Sequence, residues 1–218
     1  MKPNKDKQNL LNAVWEIPTR TKLNCYAFSL GMDYGKGKIW GRRHYKARPG
    51  DKCPEFRNGP FDFHNCENIV KRVLCDNPKY VTKVPDIHYK EYMNKDIGPD
   101  FHLIAAYLSP GDASTGTGTD FHFTRRVPLN VVANAWERFK KNTPEETRNE
   151  LVLKRPKYIH IHQRGWSSGG PLLYDASNRL ITDPKKADMN YGTVNYSLFC
   201  GLFVVKTRAA SVTDQFNY

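Results

Sequence analysis

Cys25 follows Asn24 directly, and Asn24-Cys25-Tyr26-Ala27-Phe28-Ser29-Leu30-Gly31 reads as a short helix with an N-cap at one end and a glycine stop at the other. Unpaired N–H groups at a helix N-terminus favour negative charge, so a cysteine placed there is a candidate nucleophile. A nucleophilic thiol also needs an imidazole within hydrogen-bond reach and a third polar group to orient that ring. His122 on one expected strand, with His160 or His162 on another, can supply both. The catalytic set would then be Cys25, His122 and His162. A buried cysteine ordinarily packs as a small hydrophobe, and a strand histidine ordinarily hydrogen-bonds within the core. Taken alone, these residues point to structural use before catalysis.

Other chemistries find less support. His160 and His162 are two apart and share one strand face, which suits two imidazole ligands, but no third ligand stands at a telling distance. No metal and no cofactor are expected. The glycines of residues 165–170 lack the G-x-x-x-x-G-K-[ST] signature of a phosphate loop. Asp175, Asn178, Asp183 and Asp188 match calcium ligands in composition only, since their spacing fails the EF-hand pattern, and a turn-rich connector is expected. Lys36, Lys38, Arg42, Arg43, His44, Lys46 and Arg48 are interleaved with Tyr34, Trp40 and Tyr45. Cations with stacking aromatics suit single-stranded nucleic acid, and equally ion-pair and cation–π contacts with another subunit. No nucleic-acid-binding motif accompanies them, so nucleic acid is not the expected partner.

The chain that must position these groups has 218 residues, enough for one full core. Its 27 aromatics (12 Tyr, 11 Phe, 4 Trp) argue against disorder. No run approaches ~18 uninterrupted apolar residues, so no membrane span is expected. The charged start Met1-Lys2-Pro3-Asn4-Lys5-Asp6-Lys7 has no apolar stretch behind it, so no secretory signal is expected. A net charge of +12 favours an anionic partner or an acidic face on another copy of the protein. Five cysteines without a C-x-x-C pair argue against a zinc ribbon, and an odd count leaves at least one thiol over.

Residues 8–17 read as an amphipathic helix stopped by Pro18, with Leu10, Leu11, Val14 and Ile17 on one face. Asp62 or Asn65 can cap a helix running through Cys75, and Asn130 to Lys141 carries the clearest helical period. A further helix begins at Thr143-Pro144-Glu145-Glu146. Strands are expected at Phe101–Leu108, Asp120–Arg125, Tyr158–Gln163 and Tyr196–Val205, while residues 78–100 read as irregular or weakly helical. The expected fold is α+β, predominantly helical with a small, mostly antiparallel sheet. Residues 1–20 form an N-terminal arm and 21–218 one compact domain.

Two resemblances add to this reading. Asn24-Cys25-Tyr26-Ala27, Pro49-Gly50, Asp120-Phe121-His122-Phe123-Thr124-Arg125, Asp183-Pro184 and Cys200-Gly201-Leu202-Phe203 resemble, in that order, motifs of bacterial and viral proteins that look like distant relatives of the papain-like cell-wall cysteine amidopeptidases. That likeness spans about residues 24–206 and implies a Cys/His hydrolase scaffold. The chain departs from it in an expected helical segment, roughly 128–154, between the His122 strand and the next, which would displace the third catalytic group. As a whole the chain also resembles the viral occlusion-body matrix proteins, the polyhedrins of nudiviruses. This second resemblance implies a structural protein without turnover. Copies of the chain would crystallise in the nucleus of the infected cell and encase virions.

The second resemblance also implies exchange of the arm between neighbouring copies, docking through Leu10, Leu11, Val14 and Trp15, with no nucleic-acid or membrane partner. Cys53, Cys66, Cys75 and Cys200 become candidates for disulfide cross-links. Polyhedra dissolve in alkali, and the 20 Lys and 14 Arg fit this. With every Lys neutral and every Tyr ionised, above roughly pH 11.5, the net charge swings to about −20.

Overall fold

The computed structural model describes residues 24–31, 48–57, 63, 65–111, 114, 116, 118–134, 136–140, 142–164 and 171–206. The expected arm with Leu10, Leu11, Val14 and Trp15 lies outside the described residues, as does the basic stretch from Lys36 to Lys46.

The first described helix, α1 (Cys25–Ser29), starts where its cap predicts: Asn24 Oδ1 accepts from the Ala27 N–H at 3.0 Å. A short helix, α2 (Pro54–Arg57), precedes α3 (Cys66–Asp76). Of the two candidate caps for α3, Asn65 is the one used, accepting from the Asn68 N–H at 2.9 Å. Then follow β1 (Val81–Lys83), α4 (Tyr89–Asn94), β2 (Phe101–Ser109) and β3 (Asp120–Pro128). Three helices, α5 (Leu129–Asn134), α6 (Trp136–Lys140) and α7 (Glu145–Lys154), lead to β4 (Tyr158–His162), and β5 (Leu198–Lys206) closes the fold.

The expectation of a predominantly helical chain is overturned. One antiparallel sheet of five strands, in the order β1-β5-β2-β3-β4, organises the molecule, and the described residues are 34% helical against 28% strand. The helices are short, whereas β2, β3 and β5 are nine residues each and largely buried on both faces. Strands buried on both faces read as continuous apolar runs, and these runs were legible. β1 was not: three residues including Thr82 and Lys83 carry no alternation to read, and only pairing with β5 makes them a strand.

Strand alternation sorts the side chains onto two faces. On one lie Ile104, Ala106, Leu108, Phe121, Phe123, Val127, Ile159 and Ile161, packed with Cys25, Tyr26, Phe28, Ile69 and Val73 from α1 and α3. The opposite face carries Leu103, Ala105, Tyr107 and Leu202, covered by Tyr89, Tyr92 and Met93 of α4 and by Ile181, Met189, Tyr191, Tyr196 and Phe199. His122, Thr124, Arg126, His160 and His162 share that second face by their positions on β3 and β4.

Both ends of α3 are fixed covalently. Cys66, at its start, bonds Cys200, and Cys75, in its last turn, bonds Cys53. Cys200 reaches Cys66 because β5 is bulged: Ala106 pairs with Gly201 and Tyr107 with Phe199, so Cys200 is the extra residue and turns toward the helical face. Gly201 at φ +126° takes a backbone conformation that side-chain-bearing residues rarely adopt. All four candidate cross-linking cysteines are therefore paired within the chain, leaving Cys25 as the free thiol.

Asp76 adds a polar clamp beside the second bridge. Its Oδ2 accepts from the Tyr26 hydroxyl and the Gly50 N–H, each at 2.8 Å, and its Oδ1 from the Lys52 N–H at 2.9 Å. Burial nevertheless pushes its carboxyl up to about 6.

Candidate functional site

His122 projects from β3 and His162 from the neighbouring β4, and their rings meet with His122 Nε2 2.9 Å from His162 Nδ1. The protons on this pair can be assigned. His162 Nε2 lies 2.9 Å from the Tyr174 carbonyl, which can only accept, so Nε2 carries the hydrogen. The neutral ring then offers Nδ1 as an acceptor, and His122 Nε2–H donates to it. His122 is left with Nδ1 as its basic nitrogen. An imidazole held this way by a second group has the form of a base–orienter pair. The three helices α5–α7 do intervene between β3 and β4, yet the two strands pair directly, so the insertion does not separate His122 from His162.

The thiol goes elsewhere. Cys25 opens α1 on the helical face, packed with Phe121 and Phe123, and its S–H donates to the Phe121 carbonyl at 3.7 Å. Phe121 and His122 are adjacent on β3 and so face opposite sides of the sheet. Among the described residues no hydrogen bond joins Cys25 to a histidine. Burial, with the negative charge of Asp120 added, pushes the thiol up to about 12. The helix N-terminus that suggested an activated thiolate is overruled by desolvation.

In the native protein at pH 7.5, iodoacetamide is expected to label Cys25 on the order of 10³-fold more slowly than a free cysteine, because so little thiolate is present. Mass spectrometry of the labelled peptide reads this rate. Labelling as fast as a free thiol would mean that Cys25 is activated.

The remaining polar groups near the pair are engaged. Tyr196, with its ring 5.0 Å from that of His122, donates its hydroxyl to Asp120 Oδ2 at 2.8 Å. Arg164 stacks on Tyr191 with its guanidinium carbon 4.2 Å from the ring centroid. His160 bonds Thr124 Oγ1 through Nδ1 at 2.9 Å, and both nitrogens of His162 are occupied, so the H-x-H pair is not disposed as two metal ligands. Among the described residues no group of three or more His, Cys, Asp or Glu side chains converges in a way that could hold a metal ion. Asp175 organises a turn, its carboxylate accepting from the Ser177, Arg179 and Asp188 N–H groups at 2.9–3.0 Å. No helix among the described residues is long and apolar enough to cross a membrane.

Burial holds every one of these sheet histidines in its neutral form. His160 is pushed down to about 3 and His162 to about 4, while His102 and His122 fall well below the usual imidazole range.

Several residues that matter here were not singled out from the sequence. Asp76 ends α3, at the negative end of the helix dipole, where an acid is disfavoured; its position there is a signal that specific donors await it. Arg125 and Arg126 are two consecutive cations inside a strand, so alternation must send one to each face. Compared with protein-family models, with curated proteins and with solved structures, the chain matches none of them.

Proposed function

We propose that this chain is a viral occlusion-body matrix protein of the polyhedrin kind, an assembly protein built on a Cys/His hydrolase scaffold that no longer turns over. The observation that carries this reading is Cys25: the thiol opens a helix, as a hydrolase nucleophile would, yet it lies on the face away from the histidine pair and is buried, protonated and bonded to backbone. Such a molecule acts through its body rather than through a reaction. The +12 charge suits packing against acidic faces of further copies, and two internal bridges suit a protomer that must outlast its host cell. Because those bridges close within the chain, cohesion between copies rests on non-covalent contacts.

Alkaline release fits with one refinement. Tyr26 and Tyr196 donate to Asp76 and Asp120, and burial together with those carboxylates raises both phenols far above their ordinary range. Such tyrosines stay protonated when exposed lysines discharge, so the full swing to about −20 is not reached at pH 11.5. The lattice would loosen while each protomer stays folded. Produced in insect cells, the chain is expected to collect in micrometre-scale particles that sediment at pH 7 and dissolve near pH 11 with both disulfides intact. A chain that stays in the supernatant as a monomer at every pH would contradict this.

One observation favours a second reading. The His122–His162 pair keeps the geometry of a base and its orienter, as a papain-like Cys/His hydrolase would require. Rapid labelling of Cys25, with loss of peptide hydrolysis in Cys25→Ala, would turn the account toward it.

A further inference from the structure

Among the described residues three arginines are buried, and two of them are accounted for. Arg72 Nε donates to Asn68 Oδ1 at 2.6 Å, and its guanidinium lies over the Phe56 ring at 4.5 Å. Arg126 donates to the carbonyls of Tyr92, Met93 and Lys95 at 2.6, 3.1 and 2.9 Å, closing the C-terminal end of α4, and it stacks on Tyr158 at 4.1 Å. Arg125 is different. Alternation sends it to the helical face, where it is only 5% exposed. Its Nε is buried without a hydrogen-bond partner, and among the described residues no carboxylate forms an ion pair with it.

An isolated buried ion is costly, and proteins pair such charges or do not keep them. Burial lowers the Arg125 guanidinium only to about 10, so the charge is present at neutrality. The surroundings are also shaped around it. Gly31 follows α1 at φ +74°, and a Cβ there would fall 2.5 Å from Arg125 Nη1. The absence of a side chain at Gly31 is what lets the guanidinium lie against this backbone. His102, on the same face of β2, directs its Nε2–H to the Ser29 carbonyl at 2.8 Å. Its neutral ring adds no second charge to the site.

We propose that Arg125 is the base of a binding site for one small oxyanion, a phosphate, sulfate or carboxylate group, received against the guanidinium beside Gly31. A planar fork of N–H donors matches such a group, and in a desolvated setting the charge-assisted hydrogen bonds are strong. The site lies on the face of the sheet opposite the histidine pair and does not depend on the assembly reading.

Titration of the full chain with inorganic phosphate tests this. At constant ionic strength set with sodium chloride, isothermal titration is expected to show one saturable site per chain. Melting temperature should rise in step, since a ligand that binds only the folded state stabilises it. Parallel titrations with sulfate and acetate show whether the site prefers a tetrahedral anion or a carboxylate. Arg125→Gln should abolish the saturable response, whereas Lys71→Gln, at an exposed helical position, should keep it. Gly31→Ala, which crowds Nη1, should weaken binding at least tenfold. An unaltered response in folded Arg125→Gln would overturn the proposal. So would a wild-type chain with no saturable site, and that result needs no variant.

Discussion

Acidification from pH 7 to pH 4.5 is expected to lower the melting temperature by roughly 10 °C or more. The cause is the set of neutral histidines buried under both faces of the sheet. Unfolded, each titrates near the ordinary value of about 6.5. Folded, His160 holds out to about 3 and His162 to about 4, with His102 and His122 also well below their usual range. Between these limits the unfolded chain binds more protons than the folded one, so stability falls as pH falls. His160 and His162 alone account for on the order of 5 kcal/mol between pH 6.5 and 4.5. Asp76 works in the opposite direction: its folded pKa of about 6 lies above the unfolded value, so its protonation favours the folded state. That returns about 2 kcal/mol over the same interval, too little to cancel the histidines. Thermal melts followed by circular dichroism at pH 7 and pH 4.5 measure the outcome. A melting temperature that holds or rises on acidification would contradict it.

Reduction of the disulfides should have a larger effect still. Cys66 and Cys200 are 134 residues apart in sequence, and Cys53 and Cys75 are 22 apart. Chain-entropy arithmetic gives roughly 5 kcal/mol for the longer loop and roughly 3 kcal/mol for the shorter. Together these approach the whole stability of an ordinary domain, ~5–15 kcal/mol. Structure agrees with the arithmetic, because the two bridges hold opposite ends of α3, and Asp76 beside one of them ties α3 to Tyr26 and to the turn at Gly50 and Lys52. The reduced chain is therefore expected to unfold at a much lower urea concentration than the oxidised one. Thiol titration in denaturant should find one thiol per oxidised chain, Cys25, and five after reduction. An unchanged urea midpoint once all five thiols are confirmed would show that the bridges contribute nothing to the fold.

Much of this architecture is legible in the residues. The caps Asn24 and Asn65 mark α1 and α3, because a side-chain oxygen that answers a free N–H is a local device needing no partner from afar. The runs at β2, β3, β4 and β5 announce themselves for a similar reason. What could not be read depends on pairing. That a single five-stranded sheet organises the described residues follows from β5 entering between β1 and β2, and no local pattern states that order. The partner of Cys66 is fixed by a bulge at Cys200, invisible until β5 is laid beside β2.

The site divides along the same line. His122 and His162 meet because β3 and β4 pair, and their common parity was readable once both were taken as strands. Cys25 shares a neighbourhood with them in sequence logic but belongs to the other face, since Phe121 rather than His122 points toward α1. Whether a thiol at a helix start is activated or silenced turns on how deeply tertiary packing buries it. Here packing decides for silence.

The proposed function requires copies of this chain to hold one another in an ordered array. X-ray powder diffraction from washed particles made by insect cells expressing the full chain measures this directly. Sharp rings that index to a single lattice, vanishing as the particles dissolve in alkali, are the predicted result. Amorphous scatter, or a cell extract in which the protein remains a 25.1 kDa monomer, would contradict it.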